Sequence, residues 1–197
     1  MDNLARTTFT ESEYLELERK ADFKSEYYKG EIFAMAGATV IHNKIVANLI
    51  SIFSQFLKDK PCDVYPSDLR LWVESEGFYT YPDVTIVCGK VELLDNKFDT
   101  LKNPTIIIEV LSDSTEKYDR GQKFSFYREI PSLKEYILVS SKTKKIEKFK
   151  RLEDGNYLYM ESNENQPFPL DSINANLNLE DVYNKIDWSL VENKSIR

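Results

Sequence analysis

Apolar and polar residues follow two distinct periods along this chain, and these periods predict a mixture of helices and strands. From Val40 to Lys58, apolar side chains recur every three or four positions, which is the spacing of a helix that buries one stripe. Thr105–Leu111 is almost continuously apolar and β-branched, as is typical of a strand buried on both faces. Thr10–Glu13 has the pattern of a capping box, so a short helix is expected to begin there and to end near Arg19.

Shorter strands and turns surround these segments. Hairpin turns are expected at Lys29-Gly30 and at Asp154-Gly155, and a second capping-box pattern, Asp113–Glu116, predicts a helix to about Glu129. This order predicts an α/β fold of the mixed α+β type, with a central mixed β-sheet flanked by helices and with additional hairpins. The other predicted elements are strands within Glu26–Met35, Cys62–Tyr65, Ser67–Val73, Phe78–Cys88, Lys134–Val139 and Lys144–Met160, a loop with some helix at Gly89–Asn103, and a short helix near Leu179–Ile186.

The composition favours one globular domain. The chain has 197 residues, of which 42% are hydrophobic, so there is enough material for a single core. No apolar run approaches the roughly 18 residues that a membrane span needs, and the opening MDNLARTTFTESEY lacks the apolar segment of a secretory signal. Cys62 and Cys88 are not in CxxC spacing, which disfavours a zinc site. We therefore expect two buried thiols in a soluble, cytoplasmic protein.

The charge limits how the protein can contact nucleic acid. A net charge of -7 excludes proteins that coat nucleic acid through bulk positive charge, but a nuclease needs only acidic metal ligands and a local basic track. Lys142, Lys144, Lys148 and Lys150 alternate at strand period. This stripe is either such a track or a set of lysines that protects an exposed sheet edge, and edge protection is the favoured interpretation.

Two predicted strands each carry an acid where an apolar residue is expected. Asp83 opens the strand segment Val84–Val87, and Glu109 interrupts the aliphatic run Ile106–Leu111. A carboxylate in such a position is destabilised by desolvation unless a charged partner meets it. Two such acids on adjacent strands would repel each other, and a divalent cation with oxygen ligands would remove that repulsion. A single strand carboxylate is more often an ion-pair partner, and it is the pair that favours a metal site.

A lysine completes the candidate site. Asp119, Lys123 and Tyr127 are spaced by four residues, so they share one face of the predicted helix after Glu109. From spacing alone, an exposed ion pair between Asp119 and Lys123 is the simpler interpretation. The alternative is that Lys123 turns toward the two acids and takes part in catalysis.

These residues resemble the Uma-type family of restriction-endonuclease-like proteins, within the PD-(D/E)xK nuclease superfamily. The resemblance covers about residues 12–152, which makes 1–197 a single restriction-endonuclease-like domain with a C-terminal extension at 153–197. The motifs that carry it are Pro82-Asp83-Val84, Ile108-Glu109-Val110-Leu111-Ser112, Ser114-Thr115, Asp119-Arg120-Gly121 with Lys123, Tyr127, Ile130-Pro131 and Glu135-Tyr136, together with Glu26, Gly30-Glu31-Ile32, Met35 and His42 near the N-terminus.

The resemblance implies a Mg²⁺- or Mn²⁺-dependent endonuclease that hydrolyses nucleic acid, with DNA as the expected partner. It implies that Asp83, Glu109 and the Val110 carbonyl hold the metal and that Lys123 orients or deprotonates the attacking water. In the superfamily pattern the lysine lies two residues after the glutamate, where this chain has Leu111. The resemblance therefore implies that the lysine has moved to the following helix, as Lys123.

Accessory roles are open for several residues. Glu26 either binds a second ion or water, or is an exposed hairpin residue. A packed structural role is favoured for His42, the single histidine, over catalysis. Asp68 either reaches the cleft or pairs with Arg70, and the pairing is favoured; Asp119 and Tyr127 are the other accessory candidates.

Two further classes of function compete with an active nuclease. One is a catalytically weak nuclease fold that acts as a nucleic-acid-binding or regulatory module. The other, a Ser or Cys hydrolase, is disfavoured because the chain has no GxSxG motif and a single histidine. A homodimer is compatible with cleavage of both strands of a duplex.

Overall fold

The structure is a computed structural model that describes residues 8–163 and 166–192. The other residues of the predicted 1–197 domain, including the start of the segment considered as a secretory signal, lie outside the described residues. The helices are α1 (Glu11–Glu18), α2 (Val40–Phe56), α3 (Glu116–Tyr118), α4 (Phe124–Tyr127), α5 (Leu179–Val182) and α6 (Ser189–Glu192), with a π-helical turn at Asp119–Lys123 and 3₁₀ turns at Glu74–Glu76 and Asp171–Ile173. The strands are β1 (Ser25–Tyr28), β2 (Glu31–Ala34), β3 (Cys62–Pro66), β4 (Arg70–Val73), β5 (Phe78–Thr80), β6 (Val84–Cys88), β7 (Thr100–Leu101), β8 (Ile106–Leu111), β9 (Glu135–Ser140), β10 (Ile146–Arg151), β11 (Tyr157–Glu161), β12 (Phe168–Leu170) and β13 (Ala175–Leu177).

The strands form two larger sheets and a small hairpin. The larger sheet has six strands in the order β11-β10-β9-β8-β6-β3, in which β8 and β9 are parallel and the other pairs antiparallel. The second sheet has five strands in the order β2-β1-β5-β4-β7, and β12 pairs with β13. The predicted mixed α+β class with additional hairpins is confirmed, and the strands are divided between more than one sheet.

The main core lies between α2 and the six-stranded sheet. The Thr39 hydroxyl accepts a hydrogen bond from the His42 N–H and caps α2. The buried stripe of the helix is Ile41, Ile45, Leu49 and Phe53. The hairpin β12–β13 and helix α5 belong to the same hydrophobic cluster, so part of the segment 153–197 packs on this core. Every helix within residues 8–163 and 166–192 is too short or too polar to span a lipid bilayer.

The predicted strand Phe78–Cys88 is wrong as a single element. It consists of β5 in the five-stranded sheet and β6 in the six-stranded sheet, and the chain crosses between the sheets at residues 81–83. Pro82 lies at this crossing and has no N–H to continue a ladder of hydrogen bonds. The crossing leaves Asp83 where the two sheets meet. The loop predicted at Gly89–Asn103 contains the short strand β7 and no helix.

The predicted helix from Asp113 to Glu129 is also different in detail. The N-cap residue is Thr115, its side chain makes no capping bond, and the predicted capping box is wrong. The Ser112 hydroxyl instead bonds the Ser114 and Thr115 hydroxyls in a compact turn. The helix then widens into the π-helical turn, a feature that is frequent at functional sites.

The two cysteines are not thiols in this structure. Cys62 and Cys88 are directly opposite each other on the antiparallel strands β3 and β6, with Cα atoms 4.0 Å apart, and they form a disulfide. The expectation of two buried thiols is therefore wrong. This pairing could not be predicted from the sequence, because it depends on the register between two strands whose cysteines are 26 residues apart.

The lysine stripe does not lie along an exposed sheet edge. Strand β10 lies between β9 and β11, so it is not an exposed edge. The Lys148 side chain is fully buried, and its ammonium lies 3.1 Å from Glu135 and 2.9 Å from Asp171. Edge protection is therefore wrong, and Lys148 does not belong to a surface track, because it pairs with Glu135 and Asp171 inside the protein instead of facing solvent.

Candidate active site

Asp83 and Glu109 lie side by side where the two sheets meet. Strands β6 and β8 are antiparallel, with Val84 opposite Ile108. Asp83, which precedes Val84, is therefore a neighbour of Glu109, which follows Ile108. The Asp83 N–H lies 3.3 Å from Glu109 Oε2, and the Val110 N–H donates to Asp83 Oδ2 at 2.8 Å. Each carboxylate thus accepts from a backbone N–H next to the other acid. Asp83, Glu109 and Val110 all line one cleft.

Lys123 points into this cleft from the π-helical turn. Its ammonium lies 3.1 Å from Glu109 Oε1, 3.3 Å from Asp119 Oδ1 and 3.4 Å from Glu26 Oε1. The side chain of Lys123 is 7% exposed and that of Asp119 is 3% exposed. The simpler interpretation, an exposed ion pair, is therefore wrong: the pair exists, but it is buried and shared with two further acids.

Tyrosine and threonine hydroxyls donate hydrogen bonds to the buried carboxylates of the site. The Tyr127 hydroxyl donates to Glu109 Oε1 at 2.8 Å. Glu26 is buried in strand β1, not exposed on its hairpin, and accepts from Thr80 at 2.5 Å and from Tyr118 at 3.1 Å. Thr80 and Tyr118 were not predicted as site residues, because Thr80 lies among aromatic residues in the sequence and Tyr118 among charged ones, with no motif at either.

His42 contacts the site and Asp68 does not. His42 Nε2 lies 3.0 Å from Asp83 Oδ2, and His42 Nδ1 is buried with no hydrogen-bond partner among the described residues. Asp68 is exposed and pairs with Lys24 at 3.1 Å, and it is not among the residues that line the cleft. The favoured pair of Asp68 with Arg70 is wrong, because Arg70 is buried and pairs with Asp99 at 3.0 Å.

The site holds more negative charge than its cations neutralise. Within the described cluster, Glu26, Glu109 and Asp119 surround the one ammonium of Lys123, and Asp83 lies beside Glu109. Burial raises the pKa of Glu109 to about 8, against the opposing effect of Lys123, and burial also raises the pKa of Asp119. Although burial lowers the pKa of Lys123, the attraction of Glu109 and the other acids outweighs it and holds that pKa well above its usual range. Burial is the main cause of both shifts, because it disfavours the charged form of a carboxyl group, and the neighbouring carboxylates act in the same direction.

The residues of this cluster supply some, but not all, of the ligands that a divalent cation needs. Within the described residues, no three His, Cys, Asp or Glu side chains converge as a ready set of metal ligands. Mg²⁺, however, is usually bound by one or two carboxylates together with waters and substrate phosphates. Asp83 and Glu109 supply two carboxylates, and both hydrogen bonds to Asp83 fall on Oδ2. The excess of carboxylates over cations in this cluster also favours a cation.

The cleft that contains this cluster has a volume of about 1260 Å³. One group of lining residues follows the parallel strands β8 and β9 and carries hydroxyls. A second group comes from strand β2 and the loop that leads to α2, and it is almost entirely apolar. The hydroxyl group is Ser112, Ser114, Thr115 and Ser141, and the apolar group includes Phe33, Ala34, Met35, Ala36, Gly37, Ala38 and Val40.

Comparison with known proteins places this chain in a family. Residues 11–180 match the Uma2 family, which is described as "Putative restriction endonuclease". The chain belongs to the Uma2 family. Two Synechocystis relatives (strain ATCC 27184 / PCC 6803 / Kazusa) support this: the uncharacterised protein sll1609 is 38% identical over 77% of this chain and 86% of its own length. The second relative, the uncharacterised protein slr1290, is 34% identical over 87% of this chain and 89% of its own length.

The fold of this Uma2 member matches a solved structure. A crystal structure described as a putative nuclease belonging to DUF820, from Anabaena variabilis ATCC 29413, superposes with a TM-score of 0.73. The match covers 89% of this chain and 97% of that chain, at 16% identity. At this identity the likeness concerns the fold, which is the restriction-endonuclease-like fold that the sequence predicts.

Proposed function

We propose that this Uma2 member is a Mg²⁺- or Mn²⁺-dependent endonuclease that hydrolyses phosphodiester bonds in DNA. The observation that carries the proposal is the convergence of Asp83, Glu109 and Lys123 in one cleft, with Lys123 Nζ 3.1 Å from Glu109 Oε1. Asp83, Glu109 and the Val110 carbonyl are the proposed metal ligands. A divalent cation held there would neutralise charge on the phosphate and lower the pKa of the attacking water.

The protein's own residues have separate roles in this proposal. Val110 N–H and His42 fix the Asp83 carboxylate, and Tyr127 fixes that of Glu109. Lys123 remains an ammonium because its pKa lies well above the usual range, so it orients water and stabilises negative charge instead of removing a proton. Glu26 and Asp119 hold this ammonium in place and are accessory residues.

Plasmid cleavage tests the function directly. Purified protein is expected to convert supercoiled DNA to nicked or linear forms with Mg²⁺ or Mn²⁺ and to stop when EDTA is added. Asp68→Asn is a matched control, because this carboxylate is exposed and lies outside the cleft. A protein that binds DNA but cuts neither DNA nor RNA with either metal would be the binding or regulatory module instead. A homodimer and a cytoplasmic location stay predictions.

The stability of the metal-free protein is expected to fall as the pH rises from about 4.5 to about 8. The pKa of Glu109 is raised from 4.5 to about 8 in the folded state, so the folded protein holds a proton that the unfolded chain has already released. Above about pH 8, Glu109 is ionised in the folded protein as well, and the buried carboxylates of the site lack a neutralising divalent cation. Mn²⁺ should therefore raise the melting temperature more at pH 8 than at pH 5.5, as measured by differential scanning fluorimetry.

The same scan of Glu109→Gln identifies the group responsible. Without the titrating carboxyl, the variant should lose most of the decline with pH and most of the stabilisation by Mn²⁺. A wild-type melting temperature that rises steadily from pH 5 to pH 8 without metal would contradict the assignment.

A further inference from the structure

An uncharged, apolar segment lies exposed at the edge of the active-site cleft. The sequence from Ile32 to Ile41 contains no charged residue, and Phe33, Ala34, Ala36, Ala38 and Val40 within it are all exposed. Phe33 is 47% exposed and Val40 is 75% exposed. Runs of exposed apolar residues are unfavourable in a soluble protein unless they bind something. Phe23, which is 64% exposed, lines the same cleft. We call Phe23 and the exposed apolar residues of this segment the apolar wall; its members are Phe23, Phe33, Ala34, Ala36, Ala38 and Val40.

The apolar wall is continuous with the proposed catalytic cluster. Phe33 on β2 is directly opposite Glu26 on β1, so the two side chains leave the same face of the hairpin with Cβ atoms about 5 Å apart. The Glu26 carboxylate in turn lies 3.4 Å from the Lys123 ammonium. An aromatic ring is thus one side chain away from the cluster.

The charges of the cleft do not suit a duplex. Among the described residues that line it there are five acids and three lysines, and one of these lysines, Lys123, is already neutralised by buried carboxylates. Of the other two, Lys24 pairs with Asp68 and Lys142 with Asp113. A protein that grips duplex DNA depends on many phosphate contacts from Lys and Arg. Stacking on aromatic rings supplies affinity without such charges, but it requires bases that are not already stacked in a helix.

We propose that the apolar wall is a platform on which Phe33 and Phe23 stack the bases of single-stranded nucleic acid beside the catalytic cluster. The hydroxyl group of lining residues then faces the sugar–phosphate backbone, since Ser and Thr hydroxyls are suitable donors to phosphate oxygens. This inference rests on the proposed nuclease function and names its substrate as a single strand or an unpaired region. A supercoiled plasmid is then cut where negative supercoiling unpairs its strands.

Fluorescence anisotropy with the Glu109→Gln protein measures binding without cleavage. The probes are a labelled oligodeoxythymidine of about 12 nucleotides and the duplex that it forms with oligodeoxyadenosine. The single strand is expected to bind at least about tenfold more tightly, with little weakening between about 50 and 200 mM KCl. In the same background, Phe33→Ala and Phe23→Ala should each weaken single-strand binding by about 5- to 150-fold, which corresponds to the loss of one stacked base. Phe33→Trp should restore it.

Phe98→Ala is the matched control, because this phenylalanine is 73% exposed but does not line the cleft. It should leave binding unchanged. In otherwise wild-type protein, Phe33→Ala should raise KM for single strands and leave kcat nearly constant.

The possible failures are distinguishable. Tighter binding of the duplex, or unchanged single-strand binding by both alanine variants, overturns the platform even if the wild type cuts DNA. Variants that change the sedimentation coefficient but not binding overturn it in favour of an interface with a second copy of the chain. If single strands bind through Phe33 but the wild type never cuts them with Mg²⁺ or Mn²⁺, the platform is supported and the proposed nuclease function fails.

Discussion

Glu109→Gln is expected to abolish metal-dependent cleavage while the protein stays folded. The amide keeps the size of the side chain, and its oxygen can still accept from Lys123 and Tyr127, which both bond to the same carboxylate oxygen. The position near the Asp83 N–H becomes an amide nitrogen, so one weak hydrogen bond of 3.3 Å is lost. What disappears is the anionic ligand, which a neutral amide cannot replace for a hard cation.

Three measurements check this result. Plasmid nicking should fall to background, Mn²⁺ binding by isothermal titration calorimetry should weaken strongly, and circular dichroism should match the wild type. Glu129→Gln is the matched control, since this glutamate is 47% exposed and pairs only with its neighbour Arg128 among the described contacts. Wild-type cleavage by Glu109→Gln would show that Glu109 is not a metal ligand.

Lys123→Ala is expected to lower both activity and stability. A positioned acid–base or electrostatic group contributes roughly 10²–10⁴-fold to the rate, and that is the expected loss in cleavage. Removing the ammonium also leaves Glu26, Glu109 and Asp119 buried without their shared cation. Breaking a buried ion pair in this way costs about 3–5 kcal/mol in the free energy of unfolding.

The metal separates these two effects. In Lys123→Ala a divalent cation is the remaining source of positive charge at the acids, so Mn²⁺ should raise the melting temperature of the variant more than that of the wild type. Cleavage should stay low even when Mn²⁺ has restored stability. Lys117→Ala, which changes an exposed lysine of helix α3, is the control. A Lys123→Ala protein that is as stable and as active as the wild type would refute the proposed role of this residue.

The sequence alone determined most of the local structure. The capping box at Thr10, the period of Val40–Lys58 and the turn at Lys29-Gly30 each depend on residues close together in the chain, and the structure has α1, α2 and the β1–β2 hairpin there. The apolar run containing Glu109 also identified a buried strand, because burial on both faces leaves no polar period. Family membership followed from motifs of the same local kind.

Only the tertiary structure decided which charged residues meet. Spacing could not separate an exposed Asp119–Lys123 pair from a buried one, because the difference depends on which side of the helix faces β8 and on the π-helical turn. Likewise, Asp68 and Arg70 are close in sequence, yet they have partners from different loops. The disulfide between Cys62 and Cys88 follows from strand register, and the burial of Lys148 follows from the packing of β12 and the Asp171 turn against it. Contacts of this kind join segments distant in the chain, and their free energy depends on burial and pairing, which periodicity does not encode.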